Sequence, residues 1–401
     1  MVRKIFPIPL ISTALLFLPV SSFCETIKLK NGRTVEGEII ERTDEFIKIN
    51  YYGVSLTYYF EDIKSVDGEP VKKEEMDATI ASEEVPLEHP PGFYYEKGVV
   101  LAAQGNLEIA RKEFERALKV DPFHNETRTC VEIMEDMVKG KITREVALNI
   151  FQATYYSKLG RTQEALKRIN VALRFNPDYP ITYISRGFLY ATIEDYNNAL
   201  CDFTRVVELA PNMPDTYNNR GIIYRSMGLH DKAISDYTQA IELKSNFAEA
   251  YLNRGRAYDA KGLYDQAISD YTKAIKINPK YAEAYANRGF IYYNKGLYEQ
   301  AIKDCNVAIE INPSLAGAYN NRAITYSRLG QYGLAIEDYN KAIPLEPDNP
   351  EYYYNKAIDC EKASRIREAI EAYESFIRTA PSDRYGTHVK RAKQKIKRLR
   401  R

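Results

Sequence analysis

Hydrophobic and small residues recur with a period of 34 residues over most of this chain. Counted from Pro180, the fourth position of six successive copies is tyrosine and the twentieth is alanine. Within a copy, apolar or small residues occupy positions 4, 8 and 11 and again positions 20, 24 and 27. Both sets have the i, i+4, i+7 spacing that places side chains on one face of a helix. The pattern therefore predicts two amphipathic helices in each copy.

Glycine and proline mark the predicted helix ends. Gly262, Gly296 and Gly330 stand between the two helices of their copies, where a residue in the left-handed conformation commonly ends a helix. Asn278-Pro279 closes a second helix, because the residue before proline is disfavoured in the α region. A helix pair of this size cannot bury its apolar face alone and must stack on its neighbours. The chain is therefore predicted to be a mainly α solenoid.

At these positions the chain resembles the tetratricopeptide repeat family, with tyrosine where that family usually carries tryptophan. Eight copies can be aligned, at 91–124, 146–179 and six more over 180–383, with local departures such as Glu194 for the turn glycine. The resemblance implies a right-handed superhelical solenoid of about eight helix-turn-helix repeats.

An insert separates the first copy from the second, and one helical stripe runs along it. We expect a lid helix over the first copy, which would set that copy apart from the main array. The stripe consists of Cys130, Ile133, Met134, Met137 and Val138.

The first 24 residues predict export. Arg3 and Lys4 precede an apolar run over 5–20 that is short and interrupted by prolines, as in a secretory signal peptide rather than a membrane span. Small residues suit cleavage after Ser22 or Cys24, so a periplasmic or secreted location is expected. Lipoprotein anchoring through Cys24 is the alternative, although Phe23 is bulkier than such signals usually accept.

Residues 26–66 alternate with a period of two and predict four or five short strands. Asn31-Gly32 fits a hairpin turn, since a type I′ turn needs positive φ at both central residues. The pattern resembles small SH3-like or Sm-like barrels and implies an all-β domain. The charged stretch that follows suits a flexible linker. The predicted order is a signal peptide at 1–24, a barrel-like domain at 25–68, a linker at 69–90, the first repeat with its lid helix at 91–145, a seven-repeat array at 146–383 and a basic capping helix at 384–401.

Composition and spacing argue against several classes of function. The chain has 56 Lys and Arg against 55 Asp and Glu, so no charge excess points to nucleic acid. Its four histidines are scattered without metal-ligand spacing, and no phosphate-binding glycine loop is present. We expect no metal, no cofactor and no enzymatic activity. Cys201, Cys305 and Cys360 are predicted to be small buried thiols within helices.

Asparagine at position 6 is the main candidate for ligand binding. A carboxamide offers a donor and an acceptor that can pair with the backbone of one residue of an extended peptide. In the family this face lines the concave groove, and the row resembles the asparagine ladder of the repeat region of O-linked N-acetylglucosamine transferase. The alternative is a surface inherited through duplication of the copies. The candidate peptide-binding residues are Asn219, Asn253, Asn287, Asn321 and Asn355, with Arg256, Tyr293 and Arg328 as further groove residues.

Arginine at position 7 and aspartate at position 23 recur together in five copies. Partly buried arginine is rarely left unpaired, so a ladder of ion pairs between helices is predicted rather than a ligand site. The pairs are Arg186 with Asp202, Arg220 with Asp236, Arg254 with Asp270, Arg288 with Asp304 and Arg322 with Asp338.

The basic C-terminal helix is expected to cover the apolar face of the last repeat through Val389, Ala392, Ile396 and Leu399. Its many Lys and Arg residues form either a solvated face or a contact with an anionic membrane surface or acidic partner. The function predicted for the whole chain is a non-enzymatic scaffold that binds an extended peptide or partner subunit in a concave groove, in the cell envelope. The alternative is an envelope-structural or assembly factor, anchored through the β domain or the basic tail, with the solenoid as a spacer.

Overall fold

The computed structural model describes residues 24–29, 34–42, 46–51, 54–59, 63–66, 69–70 and 89–400. The chain divides into two compact units that meet in sequence between Pro90 and Pro91. The predicted signal peptide up to Phe23 lies outside the described residues. The same holds for the Asn31-Gly32 turn and for 71–88 of the predicted linker.

The strands of the first unit form one antiparallel sheet in the order β4-β3-β2-β1-β5-β6. β1 and β2 pair from Cys24 opposite Glu38 to Lys28 opposite Thr34. Among the described pairings β4 and β6 are the two edges, so closure into a barrel and the SH3-like or Sm-like resemblance stay predictions. The strands are β1 (Cys24–Leu29), β2 (Thr34–Arg42), β3 (Phe46–Tyr51), β4 (Val54–Tyr59), β5 (Ile63–Val66) and β6 (Glu69–Pro70).

The second unit is a run of antiparallel helix pairs. The described helices are α1 (Pro91–Ala103), α2 (Leu107–Val120), α3 (Asn125–Val138), α4 (Arg144–Lys158), α5 (Thr162–Phe175), α6 (Pro180–Thr192), α7 (Tyr196–Leu209), α8 (Pro214–Ser226), α9 (His230–Leu243), α10 (Ala248–Ala260), α11 (Tyr264–Ile277), α12 (Ala282–Asn294), α13 (Tyr298–Ile311), α14 (Ala316–Arg328), α15 (Tyr332–Leu345), α16 (Pro350–Lys362), α17 (Ile366–Thr379) and α18 (Ser382–Leu399).

The two predicted stripes of each copy meet between its helices. The alanines at position 20 are fully buried, and so are large rings at position 24 such as Tyr237 and Tyr271. Position 8 brings the first helix against this ring: a Cβ at Gly255 would lie 2.6 Å from the ring of Tyr271. The close approach explains the glycine in four of the copies. The prediction of a mainly α repeat solenoid is confirmed.

The turn between the two helices of a copy requires a left-handed residue. Gly262, Gly296 and Gly330 have φ of 72°, 77° and 74°, as predicted from their position. Glu194 and Ser364 occupy the equivalent turns with φ of 60° and 58°. A side chain in this conformation is strained because its Cβ crowds the following carbonyl oxygen. The fold thus imposes the glycine geometry on two copies that lack the glycine.

The insert helix α3 differs from the prediction in two respects. Cys130, Ile133 and Met134 are buried as expected, but Val138 is 70% exposed, so the apolar stripe ends earlier. The first copy is also not set apart. α1 packs directly against α4, and the rings of Phe114 and Phe151 stack with centroids 6.1 Å apart. The insert therefore adds a helix to the array without interrupting its core.

The basic helix α18 covers the end of the array. Ala392 and Ile396 are buried in one cluster with Tyr373 and Phe376 of α17. The predicted capping role is confirmed. Within the part of the chain that the structure describes, no helix has both the length and the apolar character needed to cross a membrane.

Candidate binding face of the first helices

The first helices of neighbouring copies lie side by side, so equivalent positions form rows across the array. α8 contacts α10, and the contact repeats through α12 and α14 to α16. We call the solvent side of α6, α8, α10, α12, α14 and α16 the first-helix face. The predicted peptide-binding residues all belong to these helices.

Two of the five asparagines at position 6, Asn253 and Asn321, lie at contacts between first helices rather than on the open face. Asn253 and Asn321 are each only 4% exposed. Asn253 Nδ2 donates to Asn218 Oδ1 at 3.0 Å, and Asn321 Nδ2 donates to the carbonyl oxygen of Ala286 at 3.0 Å. The expected exposed placement is therefore wrong for Asn253 and Asn321, because position 6 points towards the preceding first helix.

The other three asparagines of the row, Asn219, Asn287 and Asn355, are half-buried. Among the residues that the structure describes, Asn287 Nδ2 has no hydrogen-bond partner. Peptide binding by the row remains a prediction. The structure changes which of its members could contribute, since the amide N–H groups of Asn253 and Asn321 are already used inside the fold.

A polar cluster joins α8, α10 and α12 at the centre of the face. Asn218 Nδ2 donates to Glu249 Oε1 at 3.2 Å, and Arg256 Nη2 donates to Glu283 Oε2 at 2.6 Å. Glu249 keeps contact with solvent, yet the surrounding protein raises the pKa of its carboxyl because loss of water disfavours the charged form. Repulsion from Asp215 and Glu283 acts in the same direction, against the opposing effects of Asn218 and Arg256. The cluster therefore places charged and polar side chains of three first helices next to one another.

Apolar side chains occupy position 9 in five of the six regular copies. This position was not identified from the sequence as a row of candidate binding residues. Phe188 is 46% exposed, and the others are half-buried at the edge of the helix-pair cores. The sequence did contain a signal for this row: position 9 is apolar in most copies, although it lies on the helix side where a fully solvated helix would carry polar residues. In order along the array the residues are Phe188, Ile222, Arg256, Phe290, Ile324 and Ile358.

The further groove candidates lie beside this row. Tyr293 stacks on Phe290 with ring centroids 6.3 Å apart, so the two rings form one aromatic surface on α12. Arg328 is exposed at the end of α14, and within the described residues it forms no ion pair. Arg256, in contrast, is held by Glu283 and has a fixed direction.

The predicted arginine ladder is confirmed in all five copies. Each guanidinium binds both carboxylate oxygens of its partner, as in Arg220 with Asp236 at 2.7 and 2.8 Å. The arginine side chains are 15 to 22% exposed. The Cζ atom of Arg254 lies 5.6 and 5.8 Å from the ring centroids of Tyr251 and Tyr258. Bidentate pairing between aromatic rings gives these arginines a structural role.

Thiols and metal ligands add no second site in the described part of the chain. No group of three or more His, Cys, Asp or Glu residues there could hold a metal ion. Cys305 and Cys360 are buried as predicted, whereas Cys201 is exposed, so the prediction of a buried thiol is wrong for Cys201. Burial raises the pKa of Cys305 to about 12 and that of Cys360 to about 11, which makes both thiols unreactive at neutral pH.

Family comparisons match several of these helix pairs. Models described as tetratricopeptide repeat match 91–124, 214–247, 282–315 and 316–349, and one described as TPR repeat matches 255–296. The protein "Tetratricopeptide repeat protein 16" of Macaca fascicularis is 27% identical over 101 residues, which are 25% of this chain. The match covers only 11% of that relative's length.

Solved structures show the same fold. A tetratricopeptide repeat protein from Parabacteroides merdae has a TM-score of 0.51 and 19% identity, over 64% of this chain and 100% of that one. The APC/C hetero-tetramer Cut9–Hcn1 has a TM-score of 0.54 and 15% identity, over 76% of this chain and 62% of that one. At these identities the likeness concerns the fold alone.

Proposed function

Because the helical part of this chain is a tetratricopeptide repeat array, we propose that the protein is a non-enzymatic interaction scaffold. It binds an extended polypeptide segment of a partner on the first-helix face, which corresponds to the concave groove of the family. The N-terminal sequence signal supports a site of action in the cell envelope, either periplasmic or secreted.

The observation that carries this proposal is the apolar row at position 9. Neighbouring packed helices lie about 8–10 Å apart, which is close to one turn of an extended polyproline II segment, three residues at ~3.1 Å each, with every third side chain on the same side. An extended segment laid across the first helices can therefore place an apolar side chain near every member of the row. Phe290 with Tyr293 offers the largest aromatic surface along this path.

The polar cluster sets the register of the bound segment. Arg256 interrupts the apolar row, and its ion pair with Glu283 fixes its position. Asn218 and Glu249 lie on the same three helices. A segment that slides by one copy would place an apolar side chain on this cluster, where loss of water from charged groups is costly. The cluster thus favours one alignment over its neighbours.

The proposed backbone contacts come from the half-buried asparagines, Asn219, Asn287 and Asn355. Asn287 would act through its carbonyl oxygen, because its Nδ2 atom is shielded from solvent. Asn253 and Asn321 are each 4% exposed and donate to neighbouring first helices, so they are assigned no contact with the peptide. Arg328 can reach an acidic side chain of the segment at the edge of the face.

The test is a comparison of two double variants of the full chain. Phe290→Ala with Ile324→Ala removes part of the apolar row, and Leu334→Ala with Ile366→Ala removes similar apolar area from second helices, where these residues are 43 and 39% exposed. Partners are recovered from envelope extract on immobilised wild-type chain, and affinities for peptides from them are measured by calorimetry.

We expect the row variant to lose affinity by about 30-fold or more, since each of the two truncations removes roughly 1–3 kcal/mol of apolar contact. The second-helix variant should bind like the wild type. Because Phe290 and Ile324 also pack against core clusters, thermal unfolding should show that both variants remain folded at the temperature of the binding measurement. Equal affinity of the row variant and the wild type would exclude the first-helix face as the binding surface. If binding instead fails only when 25–68 or α18 is removed, the alternative role of an anchored spacer is correct.

A further inference from the structure

The basic residues of α18 divide into two groups that the sequence does not distinguish. The first group forms ion pairs that hold α18 against the last repeat. Lys395 binds both carboxylate oxygens of Glu361 at 2.8 and 3.0 Å, and Arg398 donates to the same carboxylate. Arg400 pairs with Glu374 of α17. These ion pairs lie along the seam between the cap and the last repeat.

The other group has no such partner. Among the side chains that the structure describes, Lys390, Arg391, Lys393 and Lys397 form no ion pair, and all four are exposed. Lys390, Lys393 and Lys397 have the i, i+3, i+7 spacing of one helix face and span about 10 Å at 1.5 Å per residue. We call these three residues the lysine row. Residues 384–401 contain no Asp or Glu that could neutralise it.

The apolar side of α18 is not available to a partner. Ala392 and Ile396 are 0 and 8% exposed, and they pack on Tyr373 and Phe376. Because its apolar face is buried against α17, this helix cannot insert into a bilayer. The residues that it exposes to solvent over 384–400 are basic or polar.

We propose that the lysine row, with Arg391 beside it, binds the anionic surface of a phospholipid bilayer. The lysine row lies on one face of a single helix, not between two elements that could enclose an extended acidic peptide, and lysine has no ring to stack on a base. It fits a plane of phosphate groups, which any of the side chains can reach independently. The near balance of 56 basic and 55 acidic residues in the whole chain also gives no general affinity for nucleic acid.

This contact is electrostatic and independent of the first-helix face. Lys and Arg near an anionic surface each add to the affinity, and the effect falls off within a Debye length of about 10 Å at 0.1 M salt. The contact would hold the last repeat at the membrane and leave the rest of the array free for a partner.

The experiment measures co-sedimentation of the full chain with two kinds of vesicle. One contains phosphatidylcholine alone, and the other contains phosphatidylcholine with roughly 30 mol% of the anionic lipid phosphatidylglycerol. The readout is the increment in binding that the anionic lipid produces, which separates this contact from apolar insertion of any other segment. The test variant is Lys390→Gln with Lys393→Gln and Lys397→Gln. The matched control is Lys273→Gln with Lys276→Gln and Lys280→Gln, three exposed lysines on and after α11 that carry the same charge change.

We expect the test variant to lose on the order of 100-fold in partitioning to the anionic vesicles, and the control to stay within about threefold of the wild type. Salt at 1 M, where the Debye length is about 3 Å, should abolish the increment. Unchanged thermal unfolding of the test variant would show that the cap is intact.

Equal losses in the test and control variants would mean that only total charge matters, and the proposal would be overturned. It would also be overturned if the lysine row governed binding to polyglutamate or duplex DNA at 0.1 M salt while vesicle binding did not change.

Discussion

Arg254 joins two successive repeats through a single guanidinium group. Its Nε and Nη2 atoms donate to the two carboxylate oxygens of Asp270 at 2.7 and 2.8 Å, and Nη1 donates to Thr238 Oγ1 at 3.0 Å. Asp270 lies on the second helix of the same copy, whereas Thr238 lies on the second helix of the copy before. Equivalent third contacts recur in other copies, as from Arg322 to Asn306 Oδ1 at 2.6 Å. The ladder therefore contributes to stacking between copies as well as to pairing within them.

Removal of this group should destabilise the array. We expect Arg254→Ala to cost about 2–3 kcal/mol of unfolding free energy, because it leaves the buried Asp270 without its cation. Arg328→Ala, at an exposed site without an ion pair among the described residues, should change stability by less than about 0.5 kcal/mol. Chemical denaturation of both variants measures the difference. An unchanged stability of Arg254→Ala with a loss of partner affinity would place the arginines in the binding site instead.

Two asparagines of one row should respond differently to truncation. Asn253→Ala removes the 3.0 Å hydrogen bond to Asn218 within a contact between first helices, and we expect a loss of about 1 kcal/mol. Asn355→Ala changes a half-buried side chain on the last first helix and gains helix propensity, so stability should stay within about 0.5 kcal/mol. Thermal unfolding checks both. Equal effects would show that the inter-helix hydrogen bond contributes nothing.

The turn at Glu194 stores strain that glycine can relieve. Glu194 has φ of 60°, a conformation that glycine adopts without a Cβ penalty. Glu194→Gly should therefore raise the free energy of unfolding by about 0.5–1 kcal/mol. The greater conformational entropy of glycine in the unfolded chain reduces this gain. Glu194→Ala keeps a Cβ in the same conformation and should give no gain. A gain of the same size in the alanine variant would attribute the effect to the lost charge.

The raised pKa of Glu249 gives stability a defined pH dependence. The folded chain holds this proton more tightly than the unfolded chain, so the contribution of the group to stability falls as pH rises through the unfolded pKa towards the folded one. Glu249→Gln removes the titration and keeps an acceptor for Asn218. We expect the variant to match the wild type near pH 4 and to exceed it slightly at pH 7, by under ~1 kcal/mol because solvent reaches the carboxyl. Calorimetric unfolding across this range would contradict the assignment if the difference were larger at low pH.

The sequence alone determined the features that depend on contacts within one copy. The i, i+4, i+7 stripes set the two helices, and the left-handed turn at Gly262 follows from its place between them. Arg254 and Asp270 could be paired in advance, because the antiparallel packing of two helices joined by a short turn brings positions 7 and 23 together. Such contacts follow from local geometry that every copy repeats.

The contacts between copies became apparent from the folded array. The rotation from one copy to the next determines which neighbouring residue a side chain contacts. The 34-residue period of the sequence does not specify this rotation. Position 6 therefore appeared to lie on an open face, while Asn253 and Asn321 in fact contact the preceding first helix. The same stacking geometry brings α1 onto α4 past the insert. It also selects which basic residues of α18 meet Glu361 and leaves the lysine row in solvent, a division that no pattern within the helix itself could show.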